Sequence, residues 1–206
     1  MQATVLGLIL AGGRSTRMGQ DKALVRLQGK PLLQHALDRL SPQVGQVAIN
    51  ANGDPARFAT FGVAVIPDLM DLTDQGPLGG VLAGLNHARR LGLSHIATLP
   101  CDAPFAPVDL VARLMSSSGS GQVGGEHVVM ACGPNGLEPA FALWPVLGLA
   151  ALAACAKRGV RSLRGAAAEL GPIIEVSFIS AGTDEEMFIN LNRPEDLAAA
   201  EARLSG

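Results

Sequence analysis

Val5 to Leu10 is an uninterrupted apolar run that stops at Gly12-Gly13, with Arg14, Arg17 and Lys22 following at once. A run of that kind, with no polar alternation, is the pattern of a parallel strand buried on both faces. Paired glycines let the backbone approach an anion and take dihedrals closed to other residues, while successive amide N–H groups and nearby cations offset its charge. The loop can also lead into a helix whose amino-terminal end favours anions. The stretch therefore reads as a phosphate-binding turn, with a nucleotide as the natural ligand. Neither common glycine signature is present: Gly13 to Gly19 lacks the Gly-Lys-Ser/Thr of the Walker loop, and Gly12-Gly13-Arg14-Ser15-Thr16-Arg17 lacks the Gly-x-Gly-x-x-Gly of dinucleotide binders.

With 206 residues, 48% of them hydrophobic, the chain is long enough for one α/β domain with a buried core, and residues 1–206 are expected to form a single domain. A formal net charge of -2 gives no general attraction to nucleic acid or to anionic membrane, so an anionic ligand has to be met by local cations. Aromatic residues make up only 3%, which argues against a stacking platform for single-stranded nucleic acid. Met1 to Thr4 lacks the basic start of a secretory signal, and no run approaches the roughly 20 apolar residues of a membrane span, so a soluble cytoplasmic protein is expected. Cys101, Cys132 and Cys155 are odd in number and show no Cys-x-x-Cys spacing, which points to buried thiols.

Farther along, Leu32, Leu33, Ala36, Leu37 and Leu40 recur at helical spacing after Pro31, with His35 on the helix surface. Val44 to Asn50 reads as a second strand; it ends in Asn50-Ala51-Asn52-Gly53, whose amides either read a base or make a turn. Gly62 to Ile66 is a third strand, followed by Pro67-Asp68 and a polar loop over Asp71 to Gln75. Gly76-Pro77-Leu78-Gly79-Gly80 opens the next helix, its glycines serving close ligand approach or tight helix-to-strand packing. Ser116 to Gly121 with Gly124-Gly125 reads as a flexible linker inside the domain. His127 to Cys132 and Glu138 to Leu143 flank a turn at Gly133-Pro134-Asn135-Gly136, the second strand being a candidate antiparallel member of the sheet. Ala-rich helices over Leu147–Ala156 and Ser162–Leu170, a strand over Ile173–Ile179 and a last helix to Leu204 complete the chain. The alternation predicts an α/β, Rossmann-like fold: a mostly parallel central sheet with helices on both faces.

Ser94 to Leu99 is another predicted strand, and Pro100-Cys101-Asp102 stands directly beyond it. Open α/β sheets bind ligands outside the carboxyl ends of their strands, so Asp102 is the best candidate metal ligand. Its structural alternative is to cap a helix beginning near Pro107.

These motifs resemble the sugar-nucleotide-type nucleotidyltransferases, and most of all the molybdenum cofactor guanylyltransferases of the MobA type. The resemblance spans nearly the whole chain: Leu10-Ala11-Gly12-Gly13, Arg17-Met18-Gly19, Asp21-Lys22, Gly29-Lys30-Pro31, Asn50-Ala51-Asn52, Pro67-Asp68, Gly76-Pro77-Leu78-Gly79-Gly80, Pro100-Cys101-Asp102 and Asn190-Leu191-Asn192-Arg193-Pro194-Glu195-Asp196-Leu197. It implies the nucleotidyltransferase fold and transfer of GMP from GTP to the terminal phosphate of molybdopterin or molybdenum-molybdopterin, with release of pyrophosphate. By the same resemblance Leu10, Ala11, Gly12, Lys22, Asn50, Asp68 and Asp102 contact GTP, and Asp102 holds Mg2+. Gly13, Arg17, Gly80, Asn190 and Asn192 lie towards the pterin, and Lys22, Arg17 and Asp102 are the catalytic set. A molybdenum insertion protein and molybdoenzyme chaperones are implied partners.

Chemically, fixed positive charge from Lys22 and Arg17 suits the charge that develops on phosphoryl oxygens, and no covalent enzyme intermediate is needed because the nucleophile is already an anionic phosphate. Guanine N–H donors suit a carboxylate such as Asp68, which would equally accept from a sugar hydroxyl. At Glu138-Pro139 the chain departs from the His-Pro pair common in the family; Glu138 is a possible second acid near the metal. The alternatives are a molybdopterin cytidylyltransferase or a sugar-1-phosphate nucleotidyltransferase, and, from a different class, a non-catalytic carrier of the pterin cofactor. The cytidylyl relatives more often carry Leu-Ala-Ala-Gly where this chain has Leu10-Ala11-Gly12-Gly13.

Overall fold

A computed structural model describes residues 5–12, 21–70, 76–118, 127–179 and 187–205. Gly13 and Arg17, and the polar loop over residues 71–75, lie outside the described residues.

A seven-stranded sheet forms the centre. Its strands are β1 (Val5–Leu10), β4 (Gln46–Asn50), β5 (Ala64–Ile66), β6 (His95–Pro100), β7 (Val129–Gly133), β8 (Gly136–Pro145) and β9 (Ile174–Ser177), in the order β5-β4-β1-β6-β8-β7-β9. β8 runs antiparallel to both neighbours, and every other pairing is parallel. The expected mostly parallel sheet, with an antiparallel strand over Glu138–Leu143, is what forms.

Side-chain alternation explains why helices cover both faces. Val5 and Ile9, Ala97 and Leu99, Phe141 and Leu143 enter one apolar cluster with α1 (Leu32–Leu40) and α3 (Leu110–Ser118). Leu6 and Leu8, Ile96, Ala142 and Trp144 enter another with α2 (Pro77–Arg90), α4 (Leu149–Lys157) and α5 (Leu163–Ala168). The period of two along each strand sends successive residues to opposite layers, so a central strand such as β1 is apolar throughout. A small hairpin of β2 (Arg26–Leu27) and β3 (Lys30–Pro31) packs Leu27 against Leu191 and Ala200 of the carboxyl-terminal segment, where α6 is Pro194–Ser205.

Two details differ from expectation and a third adds an element. His35 is half-buried, its ring Nε2 3.0 Å from the carbonyl of Leu27, and ties α1 to the hairpin. Ser116 to Ser118, the start of the expected linker, form the last turn of α3, their hydroxyls donating to carbonyls of the preceding turn, such as Ser116 Oγ to Arg113 O at 2.8 Å, and the rest of that stretch, residues 119–121 and 124–125, lies outside the described residues. Between β4 and β5, Pro55–Phe61 is a 3-10 helix opened by Asp54 and anchored by the buried Phe58. Among the described residues no helix is long and apolar enough to cross a membrane.

Candidate active site

β1, β4 and β6 end in step: Leu10 is in register with Asn50 on one side and with Pro100 on the other. The chain leaves β1 for β4 on one side and later returns to β6 on the other, so the strand order reverses beside β1 and opens a crevice at the strands' carboxyl ends. Backbone bonds hold this rim together: Ala11 N donates to Asn50 O at 2.9 Å, Cys101 N to Leu10 O at 3.1 Å and Ala51 N to Ile66 O at 3.1 Å. Leu10, Ala11, Gly12, Asn50 and Asp102 are thereby gathered at one mouth.

Lys22 lies at the centre of it. Asp21 opens a 3-10 turn by accepting Ala23 N at 3.2 Å, and that turn carries Lys22 inward until only 8% of it is exposed. Its ammonium donates to Asp102 Oδ2 and, at 2.6 Å, to Asn192 Oδ1. Asp102 is equally buried and caps no helix, which removes the structural alternative raised for it. Its carbonyl accepts Leu191 N at 3.0 Å, drawing the Asn190-Leu191-Asn192 segment onto the mouth. Asp196 Oδ2 then accepts the amides of Asn192 and Arg193, both at 2.8 Å, as the acidic half of a capping box at the start of α6. The carboxyl-terminal motif thus caps a helix and presents Asn192 to Lys22. Asn190 is half-buried, and its Oδ1 has no hydrogen-bond partner among the described residues.

The other flank is built on Asn50, 3% exposed. Its Nδ2 donates to Ile66 O at 3.2 Å and to Asp68 Oδ1 at 2.9 Å. Asn52 holds Asp68 reciprocally, its Nδ2 on Asp68 Oδ2 and its Oδ1 accepting Asp68 N, each at 2.9 Å. The Asn-Ala-Asn segment is therefore neither a plain turn nor a free pair of amides, since both amides orient one carboxylate. Gly76 takes φ +60 ahead of Pro77 and lets α2 start abruptly there. Gly80 is buried with Asn50 Oδ1 directly over its Cα and Leu10 Cδ2 3.0 Å from where a Cβ would stand, so at this glycine the close approach is made by the rim itself.

Burial pushes the Cys101 thiol far up, and the charge of neighbouring Asp102 adds to this, so no thiolate nucleophile stands in the mouth. Burial likewise raises Glu138 above its ordinary range. Among the described residues no group of three or more His, Cys, Asp or Glu side chains could hold a metal, and Asp102 is the acid bonded to the Lys22 ammonium. One carboxylate suits Mg2+, which keeps several waters and takes the rest of its shell from substrate phosphates.

Asp21, Asn52 and Asp196 fall in motifs legible in the sequence but carry no site role there, and Arg57 falls in none. The Asp196 cap had a legible signal in its spacing from the helix start; the others act through contacts that no local pattern encodes.

Residues 7–170 match the MobA-like NTP transferase domain. The chain belongs to that family. Its relatives include the molybdenum cofactor guanylyltransferase of Cereibacter sphaeroides, 45% identical over 203 residues and 97% of each chain, and that of Acidiphilium cryptum, 41% identical over 197 residues, 95% of this chain and 93% of the other. In fold, this MobA-like chain is similar to molybdopterin-guanine dinucleotide biosynthesis protein A from Archaeoglobus fulgidus, with a TM-score of 0.75 at 22% identity over 98% of both chains. It is also similar to 4-diphosphocytidyl-2C-methyl-D-erythritol synthase from Anaerococcus prevotii, with a TM-score of 0.71 at 12% identity over 100% of this chain and 97% of that one.

Proposed function

We infer that this member of the family is a molybdenum cofactor guanylyltransferase, transferring GMP from GTP to the terminal phosphate of molybdopterin or molybdenum-molybdopterin. The observation that carries the reading is the position of Lys22. One ammonium joins the acid after β6 to the carboxyl-terminal Asn motif, two segments from which a nucleotide and a phosphate acceptor would have to be held together. The names of the relatives support it, and so does the double-glycine form of Leu10-Ala11-Gly12-Gly13.

In this reading the Gly12 amide faces the triphosphate, the Ala11 amide being held on Asn50 O, and Lys22 supplies fixed positive charge to the α-phosphoryl oxygens as negative charge builds on them and on the departing pyrophosphate. An oxygen of the pterin phosphate attacks the α-phosphorus, the bond to the bridging oxygen breaks, and GTP's β- and γ-phosphates leave as pyrophosphate. Positioning and electrostatics supply the catalysis, because the attacking oxygen is already anionic. Asp102 would hold Mg2+ together with substrate phosphates. When bound, the ion would neutralise charge on the α-phosphoryl and leaving-group oxygens. Each oxygen of Asp68 accepts from one amide and keeps lone pairs for guanine N–H groups or ribose hydroxyls. Gly13 and Arg17, with Asn190 and Asn192, face the pterin in this account, while Gly80, expected beside them, lies beneath Asn50 and shapes the rim instead. We read 1–206 as one domain, since the sheet draws strands from both ends of the chain, working in the cytoplasm. Insertion and chaperone proteins would take the product onward.

The test is pyrophosphate release by purified protein with Mg2+, GTP and molybdopterin. GTP-dependent release that drops by about two or more orders of magnitude in Asp102→Asn and in Lys22→Ala is expected, as for loss of a transition-state electrostatic contact. Equal turnover in either variant, faster turnover with CTP, or no release at all, as a carrier would give, contradicts the assignment.

A further inference from the structure

We propose that Arg57 is a positioning residue for the nucleotide, a guanidinium strap joining the Lys22 side of the mouth to the Asn52–Asp68 side. The inference rests on reading this mouth as a nucleotide site.

Arg57 sits in the 3-10 helix Pro55–Phe61, whose first turn is fixed by Asp54 Oδ1 accepting Ala56 N at 2.9 Å. The next residue, Phe58, is fully buried, and the guanidinium carbon stands 4.6 Å from the centroid of its ring. From that footing the fork divides. Nη1 lies 2.9 Å from Asp21 Oδ2, and Nη2 donates to Asn52 O at 2.7 Å. These two oxygens, the first met as an ion pair and the second through a hydrogen bond, belong to two separate segments, each one step from a group aimed into the mouth. Asp21 uses its other oxygen on Ala23 N, setting the turn that carries Lys22, while Asn52 holds Asp68 by two reciprocal bonds.

Asp21 Oδ2 is buried, and among the described residues this ion pair is its compensation. The side chains are 35% and 23% exposed, and pairs so placed contribute little to global stability. Geometry is therefore the greater effect: a rigid planar fork fixes the spacing between the lysine and the Asp68 carboxylate before the ligand arrives, which lowers the ordering cost of binding. Lysine, with a single cationic nitrogen on a flexible stem, cannot hold both acceptors in that fixed relation.

The experiment measures KM and kcat for GTP, and melting temperature, in wild type, Arg57→Ala, Arg57→Lys, Asp21→Asn and the double variant Arg57→Ala/Asp21→Asn. A rise in KM of about tenfold with kcat changed less than about threefold is expected for Arg57→Ala, the signature of lost ground-state positioning. Asp21→Asn should raise KM similarly, and the double variant should be no worse than either, since the two act as one unit. Arg57→Lys keeps the charge and should fall between wild type and Arg57→Ala. Wild-type KM in Arg57→Lys or Arg57→Ala, or single effects that multiply in the double variant, overturns the strap. A KM increase that merely tracks a falling melting temperature overturns it as well. Wild-type protein without GTP turnover would instead sink the nucleotidyltransferase reading, which separates the two failures.

Discussion

Replacing Gly80 by alanine tests how tightly the base-side flank is locked. A Cβ at Gly80 would strike Asn50 Oδ1 and stand 2.8 Å from Asn50 Cγ and 3.0 Å from Leu10 Cδ2. Alanine at the end of the first turn of α2 would by itself stabilise the helix by up to about 1 kcal/mol. Against that, Asn50 can yield only by swinging its carboxamide away, and the carboxamide is pinned on Ile66 O and Asp68 Oδ1. Losing those two bonds at a buried site costs about 1 kcal/mol each, more if the amide is left unsatisfied. The net is a destabilisation of about 1–2 kcal/mol, which at this chain length lowers the melting temperature by about 2–4 °C per kcal/mol. Because Asp68 loses one of the amides that orients it, GTP affinity should also weaken about tenfold, or 1.4 kcal/mol. Calorimetric titration with GTP and Mg2+ and thermal denaturation read both effects. Gly84→Ala is the control: its Cβ would meet Leu8 Cδ2 at 2.5 Å and Ile96 Cδ1 at 3.2 Å, in the core and away from the mouth. It should lower stability and spare GTP affinity. A Gly80→Ala protein that melts at or above wild type and binds GTP as well would refute the claim that Asn50 is fixed against α2.

Asp196→Ala should cost about 1 kcal/mol of stability by leaving the Asn192 and Arg193 amides without their cap; it should also slow transfer, since Asn192 no longer holds Lys22, and unchanged turnover would separate the cap from the site. Glu138 titrates above its ordinary range because burial disfavours its charge. The folded state therefore keeps that proton while the unfolded state loses it, so this group's contribution to stability is present at low pH and is lost as pH rises through the raised value. Glu138→Gln should melt higher than wild type at pH 7, with the gain vanishing below about pH 4; a gain that persists in acid would point to another cause. Cys101 and Cys155 are buried, with thiols pushed up by burial, whereas Cys132 is half-buried. Alkylation of the native protein at neutral pH followed by peptide mapping should therefore label Cys132 first, and early labelling of Cys101 would contradict its burial beside Asp102.

Much of this architecture can be read directly from the chain. A continuous apolar run such as Val5–Leu10 marks a central parallel strand because both faces are covered, and a glycine pair or an acid just past a central strand falls at the sheet's carboxyl edge by topology alone. That is why Gly12 and Asp102 could be placed together without coordinates. The small hairpin Arg26–Pro31 carries no turn signal strong enough to announce it, and its stability comes from packing against Leu191 and Ala200 at the far end of the chain. The serines at 116–118 show the converse: composition argued for a linker, but hydroxyls bonding back to the preceding turn let the helix run through them. Arg57 was invisible for a third reason. An arginine in a short polar segment is usually solvated surface, and only the folded chain brings Asp21 and the Asn52 carbonyl to opposite arms of its guanidinium.

GTP titration of wild type, Lys22→Ala, Asp102→Asn and the double variant in Mg2+ goes straight to the convergence of the amino-terminal turn and the acid after β6. If both groups serve one triphosphate, each single change weakens binding by at least about tenfold and the double variant loses clearly less than the product, as expected for residues in contact. Wild-type affinity in either single variant, or losses that multiply independently, would mean that Lys22 and Asp102 do not share a ligand.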